Sequence, residues 1–493
     1  MVSRHALVFG IGVTLAGSAA ALAQPRSNRT MPPPPAPPPY APSGAPGPHV
    51  PRTLAEALAA TYSNQPVLQA ERAKLRATDE SVPTALAGWR PTVVLAGTIG
   101  YGDGTSRAFN SLLGGYETSR TQRDIGTAQA TVTQPIYSGG KTQANVNHAK
   151  DAVMAERANL IAQEQTSFTN TVNAYVGVIQ DQDLLALNIN NEQVLAKQLQ
   201  ATNDRFRVGE ITRTDVAQAE AALAGATAAR QTAEGTLATA RATFVQIVGF
   251  DPPPNLVEPQ PLVLPVHNDH EAAVLAAANN PNVVFAQFND SAAKDQVDIA
   301  FSQLLPQVSL QGQTFDQENA GARSSELNGY QVVAQVSVPL YQGGAEYSAV
   351  RQAKQSEQQT ARLVGDAQRT AVQAAVNAWE TLVAATAAAD STRSQIRANA
   401  VALEGVEREA IVGSRTTLDV LNAEQSLLNS RVTLVQNLAQ LVTASYGVAA
   451  AIGRLTARDL HLPVPLYDET AYYNAVKDKW VGLGDYATDQ PGR

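Results

Sequence analysis

Cysteine is absent from the 493 residues. Disulfide staples, thiolate metal sites and cysteine nucleophiles are therefore excluded, and so is the lipid-anchored N-terminus that depends on a Cys behind its leader. Aromatic residues are only 5 %, too few for a large globular core built on rings. Charged residues are 16 %, against roughly 25 % in ordinary soluble domains. Basic excess is also missing. The formal net charge of −8 argues against nucleic acid, since phosphate binding needs a basic surface. Behind Ala23 no stretch approaches the roughly 18 apolar residues of a membrane helix. A membrane crossing by this chain would have to be a β-barrel. No nucleophile elbow and no H-E-x-x-H motif occurs, so no enzyme, catalytic residue or cofactor is expected.

Arg4 and His5 precede an apolar run from Ala6 to Ala16, and small residues follow to Ala21-Leu22-Ala23. This is the pattern of a secretory signal peptide over residues 1–23, with the mature chain starting at Gln24. Residues 24–52 are dominated by proline, which fixes its own backbone angle and lacks a donor, so an extended linker is expected.

The remainder is written twice. Pro135-Ile-Tyr137-Ser-Gly139-Gly140 matches Pro339-Leu-Tyr341-Gln-Gly343-Gly344, 204 residues later. Val208-Gly209 and Asp215 match Val412-Gly413 and Asp419 at the same offset. Upstream, Glu56, Pro66 and Pro91 match Glu271, Pro281 and Pro306 at 215. The first copy therefore carries 11 extra residues between Pro91 and Pro135. An insertion tolerated in one copy belongs in an exposed loop, and the Gly-rich span Gly102 to Gly115 is the natural place. The repeats are expected to occupy 53–253 and 254–455, with a tail over 456–493 that wraps the molecule or stays partly unstructured.

Each repeat reads helix, hairpin, long helix, helix. The opening helices are expected over Leu54–Leu86 and Asp269–Leu304. Behind them the apolarity alternates. Gln307, Ser309, Gln311 and Gln313 fall on one face, with Val308, Leu310 and Gly312 on the other. Tyr330, Val332, Ala334, Val336 and Val338 oppose Gln331, Gln335 and Ser337. Thr127, Gln129, Thr131 and Thr133 oppose Ala128, Ala130 and Val132. Period two with one wet face and one apolar face is the signature of a barrel strand. Two proline-free runs follow, Lys141–Arg207 and Ala345–Ile411. Each predicts one helix about 100 Å long at 1.5 Å per residue. Behind each run, apolar residues recur every three or four positions: Val216, Ala219, Leu223 and Ala226, then Val420, Ala423, Leu427 and Leu434. Ser430 and Asn437 are polar members of the second series, and Arg230 breaks the first. A sustained heptad calls for partner helices.

One chain supplies four strands, and four strands cannot close a barrel. Three chains would supply twelve, within the range of outer-membrane barrels, and would pack the long helices into a tube. The fold expected is mainly α with a membrane β part: a duplicated hairpin plus long coiled-coil helices, twelve-stranded and tunnel-forming as a trimer.

The exits QPIYSGGKTQANV and VPLYQGGAEYSAV, the stretches RFRVGEITRTDV and VGSRTTLDVLNAEQ, and the duplicated layout together resemble the TolC family of outer-membrane channel-tunnel proteins. The resemblance spans about Leu54 to Leu455 and leans toward the branch serving type I secretion and drug efflux. It implies a homotrimer in outer-membrane lipid with a tunnel in the periplasm. It further implies docking to a periplasmic adaptor protein and an inner-membrane transporter (RND, ABC or MFS type), with expelled small molecules or proteins as cargo. Adaptor contacts would fall at the helix turns, Val208, Gly209, Val412 and Gly413. The barrel-to-tunnel transition would fall at Pro135, Tyr137, Gly139, Gly140, Pro339, Tyr341, Gly343 and Gly344. For the two tyrosines, a place at the membrane interface and a place in the core are both open.

By motif position the resemblance also implies a periplasmic gate made of Thr214, Asp215, Arg415, Asp419 and Asn422. Arg415 would hold Thr214 and Asp215 of the other turn, since a guanidinium fork suits a carboxylate beside a second oxygen. Asp419 would line a constriction. Family members often carry a second Asp where this chain has Asn422, so the ring would hold three carboxylates rather than six. The bland reading is that Thr214 and Asp215 cap a helix. Two other motifs are read blandly. His267-Asn-Asp-His270 is a helix start capped by Asp269, not a metal site, and Gly100, Gly102 and Gly104 mark a strand end and a surface loop. A periplasmic coiled-coil protein without a channel would explain the helices but leave the four alternating strands unexplained.

Overall fold

The computed structural model describes residues 51–320, 324–484 and 486. The expected signal peptide, and the proline-rich linker up to His49 and Val50, lie outside them.

The first repeat comprises α1 (Leu54–Asn64), α2 (Pro66–Asp79), α3 (Ser81–Leu86), a 3-10 turn (Ala87–Trp89), β1 (Thr92–Asn110), β2 (Gly115–Tyr137), α4 (Lys141–Arg207) and α5 (Arg213–Val248). The second comprises α6 (Asp269–Asn279), α7 (Pro281–Ser302), β3 (Gln307–Glu318), β4 (Glu326–Ser337), α8 (Ala345–Ile411) and α9 (Thr417–Ala451). A short helix, α10 (Ala471–Val476), lies in the tail.

Both long helices run the full 67 residues expected of them. The opening helices do not. Each is broken in front of a proline, at Gln65-Pro66 and at Asn280-Pro281. Gln65 and Asn280 are extended (φ −68°, ψ 122° and φ −62°, ψ 127°), because the proline ring clashes with a helical residue in front of it. A second break at Glu80 separates α2 from α3. The cap of α6 is Asn268, whose side chain accepts from the Glu271 N–H, and not Asp269, which is already in the helix.

The four strands form one antiparallel sheet in the order β1-β2-β3-β4. Its register joins the wet residues of β2, β3 and β4. Thr131 pairs with Gln313, and Gln313 with Gln331; Thr133 pairs with Gln311. The opposite face carries Leu95, Ala130, Thr314 and Tyr330 in one row, and Val93, Val132, Gly312 and Val332 in the next. These large apolar side chains are exposed in the single chain, Ile99 at 96 % and Tyr330 at 85 %. An exposed apolar sheet face backed by threonine and glutamine is a barrel wall seen before closure.

The extra residues of the first copy do not form a loop. Gly102 to Asn110 and Gly115 to Gly126 continue the β1–β2 pairing, and only residues 111–114 turn. Gly100, Gly102 and Gly104 are accordingly inside a strand. The insertion makes strands of 19 and 23 residues against 12 and 12 in the second copy. Glycine-rich composition suggested a loop, but a two-stranded ribbon tolerates glycine where the partner strand supplies the side chains.

Among the described residues the helical body has two large cores, and a small cluster of Leu195, Ala226 and Leu421 farther along the helices. The larger gathers Leu58, Leu68, Leu75, Phe168, Tyr175 and Phe244 with Leu455 at the end of the second repeat and Leu462 from the tail. The other core joins Ala272, Ala276, Val283, Ala371, Ala375, Val448 and Ile452. Lower down, the polar members of the α9 stripe face α8: Asn399 donates to the Ser430 hydroxyl at 3.1 Å, and Asn437 to the Thr392 hydroxyl at 3.0 Å. Buried polar pairs in an otherwise apolar seam fix its register. Arg230 interrupts the α5 stripe because it ion-pairs across the seam with Glu192 of α4 at 2.7 Å.

Candidate functional site

At the end remote from the sheet, α4 turns into α5 and α8 into α9 by the same construction. Gly209 and Gly413 each adopt φ +80°, the left-handed conformation that closes a helix C-terminus cheaply only with glycine. The Glu210 N–H reaches back to the Arg205 carbonyl, and the Ser414 N–H to the Glu409 carbonyl, both at 3.0 Å. The next helix then starts with a capping box. Thr212 accepts from the Asp215 N–H while Asp215 accepts from the Thr212 N–H at 3.0 Å and from its hydroxyl at 2.7 Å. Thr416 and Asp419 repeat this at 2.9 and 2.8 Å. These bonds hold both carboxyls below the usual range: the Thr212 hydroxyl foremost for Asp215, the Thr416 amide for Asp419.

The two turns differ in one respect. In the first, Arg205 at the helix end pairs with Glu210 in the turn at 2.8 Å. In the second, Glu409 at the helix end pairs with Arg415 in the turn, also at 2.8 Å. The polarity of the ion pair is reversed. Within one chain Arg415 is thus engaged in its own turn, and its ion pair is with Glu409 rather than Asp215. Thr212 and Asp215 form the first cap; Thr214 lies exposed in the helix behind it. Asn422 is exposed on α9. Around the turns, Val208 and Val412 are each 78 % exposed and Ile411 is 81 % exposed.

A family model described as outer membrane efflux protein matches residues 57–250 and 272–454, one segment in each repeat. The chain belongs to the outer membrane efflux protein family. It is 35 % identical to outer membrane efflux protein BepC of Brucella suis over 87 % of this chain and 92 % of that one. It is 26 % identical to outer membrane protein TolC of Escherichia coli over 68 % and 70 %. The solved outer membrane protein VceC of Vibrio cholerae superposes with a TM-score of 0.70 at 20 % identity, over 81 % of this chain and 96 % of that one. The chain is an outer-membrane exit duct of a Gram-negative cell, with a strand portion in the membrane and a helical portion in the periplasm.

In this efflux-family chain the strand-to-helix transitions are asymmetric. Pro135 lies inside β2 and Tyr137 ends it, with a register shift between them, whereas β4 stops at Ser337, short of Pro339 and Tyr341. Gly139, Gly140, Gly343 and Gly344 all have positive φ. A Cβ on Gly139 would meet the Ser302 carbonyl oxygen at 2.7 Å, whereas Gly343 and Gly344 face open space. Tyr137 and Tyr341 are 46 % and 77 % exposed, which takes both out of the core of the single chain.

The tail forms a strap on the first repeat. The Ala457 N–H donates to Glu164 at 2.6 Å and the Tyr467 N–H to the Tyr62 hydroxyl at 3.0 Å. Arg90 donates to the Lys479 carbonyl at 2.6 Å and lies 4.8 Å from the Trp480 ring. The buried Arg72 guanidinium lies 4.4 Å from the Tyr62 ring and 5.3 Å from the Tyr467 ring. Burial pushes the Glu164 carboxyl up to about 7. Sequence reasoning missed Arg72, Glu164, Arg205, Glu210 and Glu409. The only signal for the turn pairs was opposite charge on either side of Gly209 and across Gly413.

Proposed function

We propose that three copies of this chain close a twelve-stranded barrel and join their long helices into one periplasmic tunnel. The tunnel receives cargo from a periplasmic adaptor and an inner-membrane transporter of the RND, ABC or MFS type. The observation that carries this reading is a polar sheet face that runs through β2, β3 and β4 and reaches Thr92 and Thr98 of β1, in a sheet whose two edges, β1 and β4, have no partner strand among the described residues. Unpaired edges are untenable in lipid, so β4 of one protomer pairs with β1 of the next. The wet face then lines the lumen, and Tyr137 and Tyr341 fall near the membrane interface. Residues 53–253 and 254–455 each supply one hairpin and one helical pair. Efflux of small molecules is favoured over protein secretion because BepC, named as an efflux protein, matches along nearly its whole length.

The exposed Val208, Ile411 and Val412 beside Gly209 and Gly413 offer an apolar rim for the adaptor. Asp215 and Asp419 bring carboxylates to the tunnel entrance, with Asn422 neutral one turn on. In the closed trimer Arg415 exchanges Glu409 for Thr214 and Asp215 of a neighbouring turn; the two turns carry opposite ion-pair polarity and are therefore complementary. In planar bilayers the purified protein should form discrete channels, and Arg415→Ser should raise their conductance. Channels of unchanged conductance would remove Arg415 from the gate; absence of channels would remove the duct.

A further inference from the structure

The first hairpin outgrows the sheet. β3 and β4 end at Glu318 and Glu326, opposite Gly126 and Ile99. Beyond that level β1 and β2 continue alone. The face that is apolar below, with Val93, Leu95, Ile99 and Tyr101, becomes polar above: Asp103 pairs with Gln122, Thr105 with Arg120, and Arg107 with Thr118. Arg120 also grips Asp103 with both Nε and Nη2, at 3.1 and 2.7 Å. A ribbon that sheds its apolar face has left the bilayer. At its far end the chemistry reverses once more. Phe109 and Tyr116 stack edge to face at 5.4 Å and are 59 % and 67 % exposed, while Leu112 and Leu113 in the turn are 95 % and 76 % exposed. The turn is built, not loose: Leu112 and Leu113 N–H groups bond the Asn110 side-chain and main-chain oxygens at 3.1 and 3.2 Å, and Gly114 supplies the φ of +61°.

We propose that the Leu112-Leu113 turns of the three protomers meet over the barrel mouth and form an apolar outer closure, with the Phe109–Tyr116 pair bracing each turn from the outward face. The proposal rests on the trimer reading. The occupant of each tip is a second copy of this chain for three reasons. First, β1 is an edge strand, so the ribbon rises directly from the seam between protomers. Second, the stalk from Gly102 to Ile125 carries Asp103, Glu117 and Asp124 against Arg107, Arg120 and Arg123; copies of it do not repel one another. Third, the reach suffices. Twelve strands about 4.8 Å apart and tilted about 40° give a radius of roughly 12 Å. The nine steps from Tyr101 to Asn110 rise roughly 30 Å, so a lean of roughly 25° brings three tips to the axis, a bend within the coiling of a two-stranded ribbon.

The absence of cysteine makes the test clean. Leu112→Cys and Leu113→Cys are oxidised separately in outer membranes, with Thr105→Cys on the stalk as control. A disulfide needs Cα atoms within about 7 Å. The expected result is covalent dimers within particles of trimer size for a tip variant and none for the stalk. The doubly charged Leu112→Asp, Leu113→Asp protein should show higher single-channel conductance. Trimers that cross-link at neither tip position, links found only in particles of two trimers, or conductance unaffected by the two aspartates each overturn the closure. Particles of monomer size overturn the trimer reading itself, and the closure with it.

Discussion

The two repeats share their long helices to the residue and differ in what they bury. Where the first repeat has Leu58, Tyr62, Phe168 and Phe244, the second has Ala273, Ala277, Val372 and Val448. Where the first has Arg72 and Glu164, the second has Gln287 and Gln368. The difference follows the tail. The strap of residues 456–484 settles on the first repeat, adding Leu462, Val464 and Tyr467 to that core. The copy that receives the strap has grown large side chains and a buried guanidinium to meet it. The copy without one stays alanine-rich, with helices close enough to pack on their backbones.

This contrast can be broken at its centre. Phe168→Ala, at a fully buried position, should cost about 3–5 kcal/mol, whereas Val372→Ala at the aligned half-buried position should cost roughly 1–2 kcal/mol. Thermal melting of the helical signal in detergent separates them, and equal losses would contradict the division into a heavy and a light core.

The next effect is pH-dependent. The folded Glu164 carboxyl is raised from 4.5 to about 7. The folded state therefore holds a proton there that the unfolded chain releases, and the stability it contributes is present below about pH 4.5 and lost as pH rises through about 7. The melting temperature should fall between pH 5 and 8. Glu164→Gln, which gives the first repeat the residue type of the second, should flatten that slope; a slope that survives the substitution assigns it to another group.

Smaller and symmetrical effects belong to the turns. Thr212→Ala and Thr416→Ala each remove a cap worth about 1 kcal/mol, and local hydrogen exchange at the start of α5 and α9 should rise equally. Asp215 and Asp419 are held below their usual range, so the stability of both caps is present above about pH 4 and fades as pH falls further. Smallest of all, Arg205→Gln and Arg415→Gln break exposed ion pairs that water and salt screen. In thermal melts both should be nearly silent, which separates stability from any effect on conductance.

The long helices, the wet and apolar strand faces and the duplication were legible because each rests on a period or an exact spacing. The helix breaks at Pro66 and Pro281 were written in the sequence too, but amphipathic continuity on both sides masked them. The length of the first hairpin was not legible: glycines at alternate positions mean a loop in isolation and a ribbon only when a partner strand is known. The turn ion pairs, Arg205 with Glu210 and Glu409 with Arg415, span five and six residues. They meet only because a left-handed glycine folds the chain back between them, and helical spacing rules do not reach them. The strap was illegible for a simpler reason: its partners lie some four hundred residues away, as Tyr62 does from Tyr467.

The two bare edges of the sheet also set an order of events in biogenesis. A protomer alone in a bilayer would present the amides and carbonyls along β1 and β4 to hydrocarbon, at several kcal/mol for each unsatisfied group. Insertion therefore cannot precede pairing between chains. The duct must be assembled from chains that have already crossed the inner membrane and found one another. Its rate of appearance should then climb more steeply than linearly with expression level, and a chain with a damaged edge should poison the assembly of its intact neighbours.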